Sequence, residues 1–405
     1  MKRLIAIIVT ILFVMAGCIG CKQSGTQSDN FITVDVTASY PKKELILQDF
    51  MDVEYIPLET NDEFLTSANI QAIGKEIIIF RNMSLSGDIF IFDRNGKGLR
   101  KINRYGQANE EYTNIQNIVL DEDNGEMYIN NTFSNKILVY DLLGNFKRGF
   151  RHKEDFIFEQ IGCFDQDNLI GHIACFYFDK GVVKYRCRNY FLIISKQDGS
   201  IKEISIPYEE KKSDILFGTG SNGRITDRGI RNRGLIPYRN SWILVEISSD
   251  TIYSYSPDHT MKPFIVRTPS VQSMDPEVFL FPGVLTDRYY FMQAVKRKYD
   301  FVADAGFPRT DLMYDRQENA IFECVVYNDD FTNKKPMSLV YEIPMFTIVN
   351  NDEIAFMKRL EAYELVEAYE KGQLKGKLKE IAAELDEESN AVIMLAKYKK
   401  KNISD

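Results

Sequence analysis

Apolar residues along this chain come in short runs separated by tight polar steps rich in Asp, Asn and Gly. The stretch Asn135 to Phe150, NKILVYDLLGNFKRGF, shows the unit: an apolar run, the step DLLGN, and a second short run. Gly87 to Ile102, GDIFIFDRNGKGLRKI, has the same layout, with Asp93 and Gly96 standing 48 residues before Asp141 and Gly144. Such steps supply the backbone angles of tight hairpins. Widening the window gives IQNIVLD, EMYINN, KILVYD and FKRGF, four short strands joined by turns. KILVY is apolar at consecutive positions, so it predicts a strand buried on both faces. A four-stranded sheet with two apolar faces must be sandwiched between copies of itself, which is the packing logic of a β-propeller.

Weaker copies follow. LIISKQDGSIKEISI turns at Asp198-Gly199, DTIYSYSPDHTMKPFIV at Pro257 to His259, MYDRQENAIFECVVYNDD at Gln317 to Asn319, and FTIV-NND-EIAFM (346–357) forms a sixth hairpin. The turns recur roughly every 30 to 60 residues, around the period of propeller blades. DVEYIPLET (52–60) and IQAIGKEIIIF (70–80) supply strands to the first blade. After Lys358 the spacing changes to three and four, which predicts helices over 361–372 and 374–399. The expected fold is all-β, a six-bladed β-propeller with a short C-terminal helical segment. Its boundaries are a signal peptide at 1–17, a lipidated cysteine and tether at 18–45, the propeller at 46–358, and C-terminal helices packed on it at 359–405.

The first residues predict processing rather than fold. Lys2 and Arg3 precede Leu4 to Ala16, an apolar stretch of secretion-signal length and short for a membrane span. Ala16-Gly17-Cys18 resembles the lipobox of bacterial lipoproteins, which implies lipidation of Cys18, with Cys21 as the alternative. Acyl chains, at about 0.8 kcal/mol per buried methylene, would hold the protein on a membrane. The 405-residue chain carries −8, and loss of residues 1–17 with Lys2 and Arg3 leaves −10. An acidic chain without a basic stripe argues against nucleic acid as a partner. Cys163, Cys175, Cys187 and Cys324 have no metal-type spacing; buried free thiols are expected, with a Cys163–Cys175 disulfide as the alternative that export would allow.

DFMDVEYIPLET, DRNGKGLRKINRYGQANEEY and the step Asp250 to Tyr253 are similar to the six-bladed propeller lipoproteins of Bacteroides-type bacteria, related to NHL-repeat propellers. The resemblance spans about residues 46 to 400. It implies an outer-membrane lipoprotein of the cell envelope, on the periplasmic or the cell-surface side. Where that family often has G-x-G-P-G-E-Y, this chain has GQANEEY (106–112), which lacks the Gly-Pro pair. The resemblance carries no catalytic residues over.

Candidate chemistry is sparse. GTGSNG (218–223) matches a dinucleotide pattern, but Gly229, Gly234 and Pro237 follow, so no helix starts there and the segment predicts a long loop. That loop holds Arg224, Arg228, Arg231 and Arg233, a local reversal of sign suited to a carboxylate or phosphate. Tyr112 and Trp242 complete the candidate ligand-binding residues. DEDNG (121–125) predicts a hairpin turn rather than a calcium loop, since Gly125 stands where an oxygen donor is needed and Thr132 where a bidentate Glu is needed. His152, His172 and His259 share no ligand spacing, and no G-x-S-x-G occurs. No metal ligands are assigned. The function expected is a membrane-anchored module binding a small molecule, a glycan or a protein. The alternative is a lactonase-, hydrolase- or lyase-type propeller enzyme with Ca²⁺ in the central channel.

Overall fold

The computed structural model describes residues 31–67, 69–82, 86–152, 156–174, 176–179, 182–185, 187–342, 347–348 and 351–399. The expected signal peptide, Cys18, Cys21, Cys175, half of FTIV and the tail beyond 399 lie outside these residues. Six sheets form the blades of a propeller. From inner to outer strand, blade 1 runs Asn69–Ile73, Ile77–Arg81, Asp88–Asp93, Gly98–Asn103, and blade 2 runs Asn117–Asp121, Glu126–Asn131, Lys136–Asp141, Phe146–Arg151. Blade 3 takes Ile157–Cys163, Asn168–Ala174, Phe191–Ser195 and Ile201–Ile204. Blade 4 spans Leu235–Tyr238 to Met261–Thr268, and blade 5 spans Val278–Leu285 to Ala320–Tyr327. Blade 6 combines Ile354–Leu360, Val392–Tyr398 and, from the other end of the chain, Met51–Pro57.

The repeat that opens the sequence is a real one. Asp93 and Asp141 each close the turn between third and fourth strand, their Oδ1 accepting the backbone N–H groups of Asn95 and Lys97, and of Leu143 and Asn145. Gly96 and Gly144 both take φ +86°. A Cβ on Gly96 would stand 2.0 Å from the Pro57 carbonyl, and one on Gly144 2.8 Å from Ile102. The turn glycine is therefore required twice, by its backbone angle and by the outer strand of the preceding blade. Gly199, φ +74°, repeats this against Phe150.

Blades are stitched at the axis as well. The inner strand of a blade has an edge with no further strand to pair, and its backbone groups still need partners. Asn117 and Asn130 of blade 2 donate to the carbonyls of Glu159 and Phe158 in blade 3. Gln160 of blade 3 accepts from the N–H groups of Gly234 and Leu235 at 2.7 and 2.9 Å, at the entry to blade 4. Thr347, ahead of blade 6, donates to Ile70 of blade 1.

Five expectations are corrected. Val392–Tyr398, expected to be helical, is a strand between Ile354–Leu360 and Met51–Pro57. The helices are Ala362–Glu370 and Gly376–Ala382, inserted between two strands of blade 6, with Leu365, Leu378 and Ile381 packed against Leu47, Met51 and Phe356. The strand within 52–60 belongs to blade 6, not blade 1. Within the expected tether, Ile32–Asp35 and Lys42–Ile46 are strands, each parallel to the outer strand of blade 4 or blade 5. GTGSNG sits in a β-hairpin, Ile215–Thr219 with Ile225–Gly229, rather than a plain loop. Cys163 and Cys324 are free, whereas Cys187 is disulfide-bonded, so the Cys163–Cys175 pairing does not form.

The turn glycines give a graded test. Gly125 has φ +62° but open space around its Cβ direction. Gly125→Ala is expected to lose only the backbone term, about 1 kcal/mol. Gly96→Ala adds overpacking against Pro57 and should lose more than about 3 kcal/mol. Urea unfolding of both variants checks this, and equal losses would refute the role given to the neighbouring strand.

Candidate functional site

One end of the ring is built from tight turns, between first and second strands in blades 1 to 5 and just ahead of Ile354–Leu360 in blade 6, and these turns surround a cavity of about 1550 Å³. All six blades contribute: Gly74 and Lys75, Asp121 to Asn124, Gly162 to Gln166, Pro237 to Trp242, Thr286 to Tyr289, and Asn351 to Ile354. The short turns leave the mouth open. At the opposite end the chain inserts hairpins, Phe176–Asp179 with Val182–Tyr185, Ile215–Thr219 with Ile225–Gly229, and Tyr299–Asp300 with Ala305–Gly306.

Charges at the mouth join neighbouring blades. Lys75 of blade 1 pairs with Asp123 of blade 2 at 2.8 Å, and Glu122 accepts from the backbone N–H groups of Lys75 and Glu76. Lys196 of blade 3, buried, donates to Asp121 of blade 2 at 2.7 Å and to the Asp165 carbonyl at 2.8 Å. Arg239 of blade 4 pairs with Asp287 of blade 5. Arg288 and Lys43 hold Asp315; burial raises that carboxyl, but hydrogen bonds from Arg288, from the Gln317 and Glu318 backbone and from Lys43 together keep it at about 2. Asn351 donates to the Gly74 carbonyl at 3.0 Å. Between blades 3 and 4 the contact is aromatic: Phe164 stacks on Tyr255 at 5.6 Å, and the Trp242 ring lies where a Cβ on Gly162 would be.

The described lining holds eight carboxylates and six cationic side chains, so the mouth presents both signs rather than one field. Three lining residues are unusual in other respects. Arg239 adopts φ +53°, an uncommon backbone angle for a side-chain-bearing residue. The Tyr398 side chain lines the cavity, its hydroxyl has no hydrogen-bond partner among the described residues, and burial pushes it up to about 12. Asp352 stands close enough to add to that shift. The Cys163 thiol, also in the lining, is pushed up to about 12 by burial and is inert as a nucleophile at neutral pH. Among the described residues no group of three or more His, Cys, Asp or Glu side chains could hold a metal ion.

The residues singled out from sequence are scattered. Trp242 lines the cavity but is buried. Tyr112 is fully enclosed in blades 1 and 2, its hydroxyl donating to the Gly87 carbonyl and accepting from the Arg104 N–H, so it packs rather than faces solvent. Arg224 and Arg228 belong to the hairpin at the far end, where Arg228 pairs with Asp304 at 2.7 Å and bonds Tyr299. Arg231 and Arg233 follow that hairpin, and neither lines the mouth. The mouth residues were missed because each turn is only a few residues long and their ion pairs join positions 48 or 75 apart in the chain.

Glu126, beside the mouth in blade 2, offers a pH test. Arg148 grips it with two hydrogen bonds at 2.7 and 2.8 Å and also donates to the Lys196 carbonyl. These bonds hold the carboxyl at about 2, below its ordinary 4.5. A depressed carboxylate stabilises the fold above its ordinary range, and that stability is lost as pH falls from about 4.5 towards 2; the full effect is about 3 kcal/mol. Thermal melts between these limits should therefore steepen in the wild type, and Glu126→Gln should flatten the profile, leaving the share due to Asp315.

The fold is similar to an exported-type protein of Bacteroides fragilis in a crystal structure, with a TM-score of 0.57 at 14% identity, covering 92% of this chain and 99% of that one. A Bacteroides vulgatus member of the DUF4221 family gives a TM-score of 0.39 at 10% identity over 87% and 98% of the two chains. An inactive virginiamycin B lyase from Staphylococcus aureus gives 0.32 at 13% identity over 67% and 88%. The last two scores are too low to carry an argument. Among curated protein sequences none matches. The profile of DUF4934, a domain of unknown function, matches residues 31–397, from the first strand of the N-terminal strap to the ring-closing strand, and the chain belongs to that family.

Proposed function

We propose that the protein is an exported envelope lipoprotein whose propeller mouth binds an extended polar ligand, a glycan or a segment of a partner protein. The observation that carries this reading is the cavity of about 1550 Å³ to which every blade contributes. It exceeds the roughly 300–1,000 Å³ of ordinary small-molecule pockets. Its balanced charges suit a ligand with many hydrogen-bonding groups and little net charge. Tyr398, Arg239 and Asp352 are the side chains assigned to contact it. The kinship with NHL-repeat propellers belongs to the same proposal, and no observation favours the alternative of a metal-assisted enzyme.

Export is supported by the leader Leu4 to Ala16 with Cys18 after it, and by the disulfide at Cys187, since such bonds persist in oxidising compartments. The Bacteroides fragilis relative described as exported is consistent with this. Acyl-chain labelling in a bacterial host tests the anchor. Cys18→Ser should abolish the label and Cys21→Ser should keep it; the reverse would move the anchor to Cys21.

A glycan array and a pull-down from envelope extracts test the binding role. The chain should retain a ligand in one of them, and Tyr398→Phe with Arg239→Ala should weaken retention at least ~10-fold by loss of charge-assisted and neutral hydrogen bonds. A ligand held equally by the double variant would take the site away from the mouth. No ligand in either assay would remove the binding role.

A further inference from the structure

Arg267 lies in the outer strand of blade 4, opposite Val34 of the N-terminal strap, and only 4% of it is exposed. A guanidinium so enclosed needs acceptors for its five N–H bonds. Nη1 stands 3.6 Å from Asp250 Oδ1, beyond hydrogen-bond reach, and that oxygen already accepts the Val271 N–H at 2.6 Å. Nε and Nη1 are buried with no hydrogen-bond partner among the described residues. Burial pushes the group down to about 10, against the pull of Asp250. The one hydrogen bond of the guanidinium among the described residues runs from Nη2 to the Met274 sulfur at 3.0 Å. A thioether is a weak acceptor for a buried cation.

Nε and Nη2 form one edge of the planar guanidinium, their N–H bonds side by side. Only Nη2 of that edge is engaged, and by sulfur. Met274 is also open to reagents. Of the nine described methionines seven are buried, and only Met261 and Met274 reach the surface. Met274 sits on the connection from blade 4 to blade 5, directly after the short turn Val271–Ser273, whose Gln272 donates to the Ser248 carbonyl at 2.8 Å. The sulfur is thus accessible on one side and faces an undersatisfied cation on the other.

We propose that Met274 is an oxidation site whose sulfoxide is held by Arg267. A thioether sulfur has two lone pairs; Arg267 occupies one, and the other attacks the oxidant, a peroxide. The sulfur–oxygen bond forms as the oxygen–oxygen bond breaks, and sulfur gives up two electrons. The proton on the transferred oxygen passes to the departing one, which leaves as water, or as an alcohol from an alkyl peroxide. The sulfoxide oxygen carries partial negative charge and accepts from Nη2 and Nε together, which removes an orphaned donor. Methionine oxidation ordinarily disrupts a fold by setting a polar group among apolar ones. Here the new oxygen meets a cation that lacks an acceptor, so oxidation fastens the connection to blade 4.

Graded hydrogen peroxide treatment of the folded protein, read by peptide mass spectrometry and by thermal melts, tests this. Met274 should reach its sulfoxide before the buried Met51, Met292 and Met313, and the melting temperature should rise by about 2 °C or more as it does. Met274→Leu, treated in the same way, should show no rise, which separates Met274 from every other methionine. Met274→Gln presents an amide oxygen to Arg267 without any oxidant and should melt higher than Met274→Leu. Conversion of Met274 no earlier than the buried methionines overturns the site. So does an unchanged or lower melting temperature once Met274 is converted, and so does Met274→Gln melting no higher than Met274→Leu. None of these readouts depends on a ligand at the mouth.

Discussion

The structure depends on one pairing, that of Met51–Pro57 with Val392–Tyr398, seven antiparallel residue pairs joining the two ends of the chain. A blade buries both faces of its sheet, so five blades in a row would leave two large apolar surfaces open to water. Ile393 and Leu395 face Ile56, Phe90 and Phe92 in one core cluster, while Val392, Met394 and Ala396 face Leu47 and Phe291 in another. One strand thus covers the exposed flank of blade 1 and that of blade 5. The N-terminal strap extends the closure. Its strands lie along the outer edges of blades 4 and 5 before the chain reaches blade 6, so three consecutive blades are bound to one another by backbone hydrogen bonds.

What could be read from the sequence was local. The hairpins at Asp93 and Asp141 were legible because an Asp that caps its own turn and a Gly at positive φ leave a short signature, and KILVY betrayed burial on both faces. Val392–Tyr398 was misread for the same physical reason that makes it a good closing strand. A segment buried on both faces is continuously apolar, and over a short stretch that pattern does not separate a strand from a helix. The parallel strands of the strap were hidden because Lys42–Ile46 carries charged residues, as outer edges do, and its partner lies 281 positions away, Lys42 opposite Glu323.

The site was less legible than the fold. A propeller draws one turn from each blade to a common mouth, so residues that meet there are separated by a blade's length of chain. Lys196 reaches Asp121 and Arg239 reaches Asp287 across such gaps, and nothing local marks either pair. Tyr112 shows the converse error. It stood among the candidate ligand-binding residues, yet two hydrogen bonds and complete burial give its hydroxyl a structural task.

The two ends of the ring are chemically different because the chain spends its insertions on one of them. The turns at the mouth stay short in every blade, so the mouth is wide and its charges are close enough to neutralise each other between blades. The other end carries hairpins that crowd the axis, and crowding strips water from whatever polar group lies beneath them. Arg233 is dehydrated there while Arg239, on the same inner hairpin of blade 4 but at the mouth, remains exposed beside Asp287. The same residue type, six positions apart, is a solvated latch at one end and, at the other, a partly buried cation with no ion pair among the described residues. That contrast follows from the length of the connections, not from the strands they join.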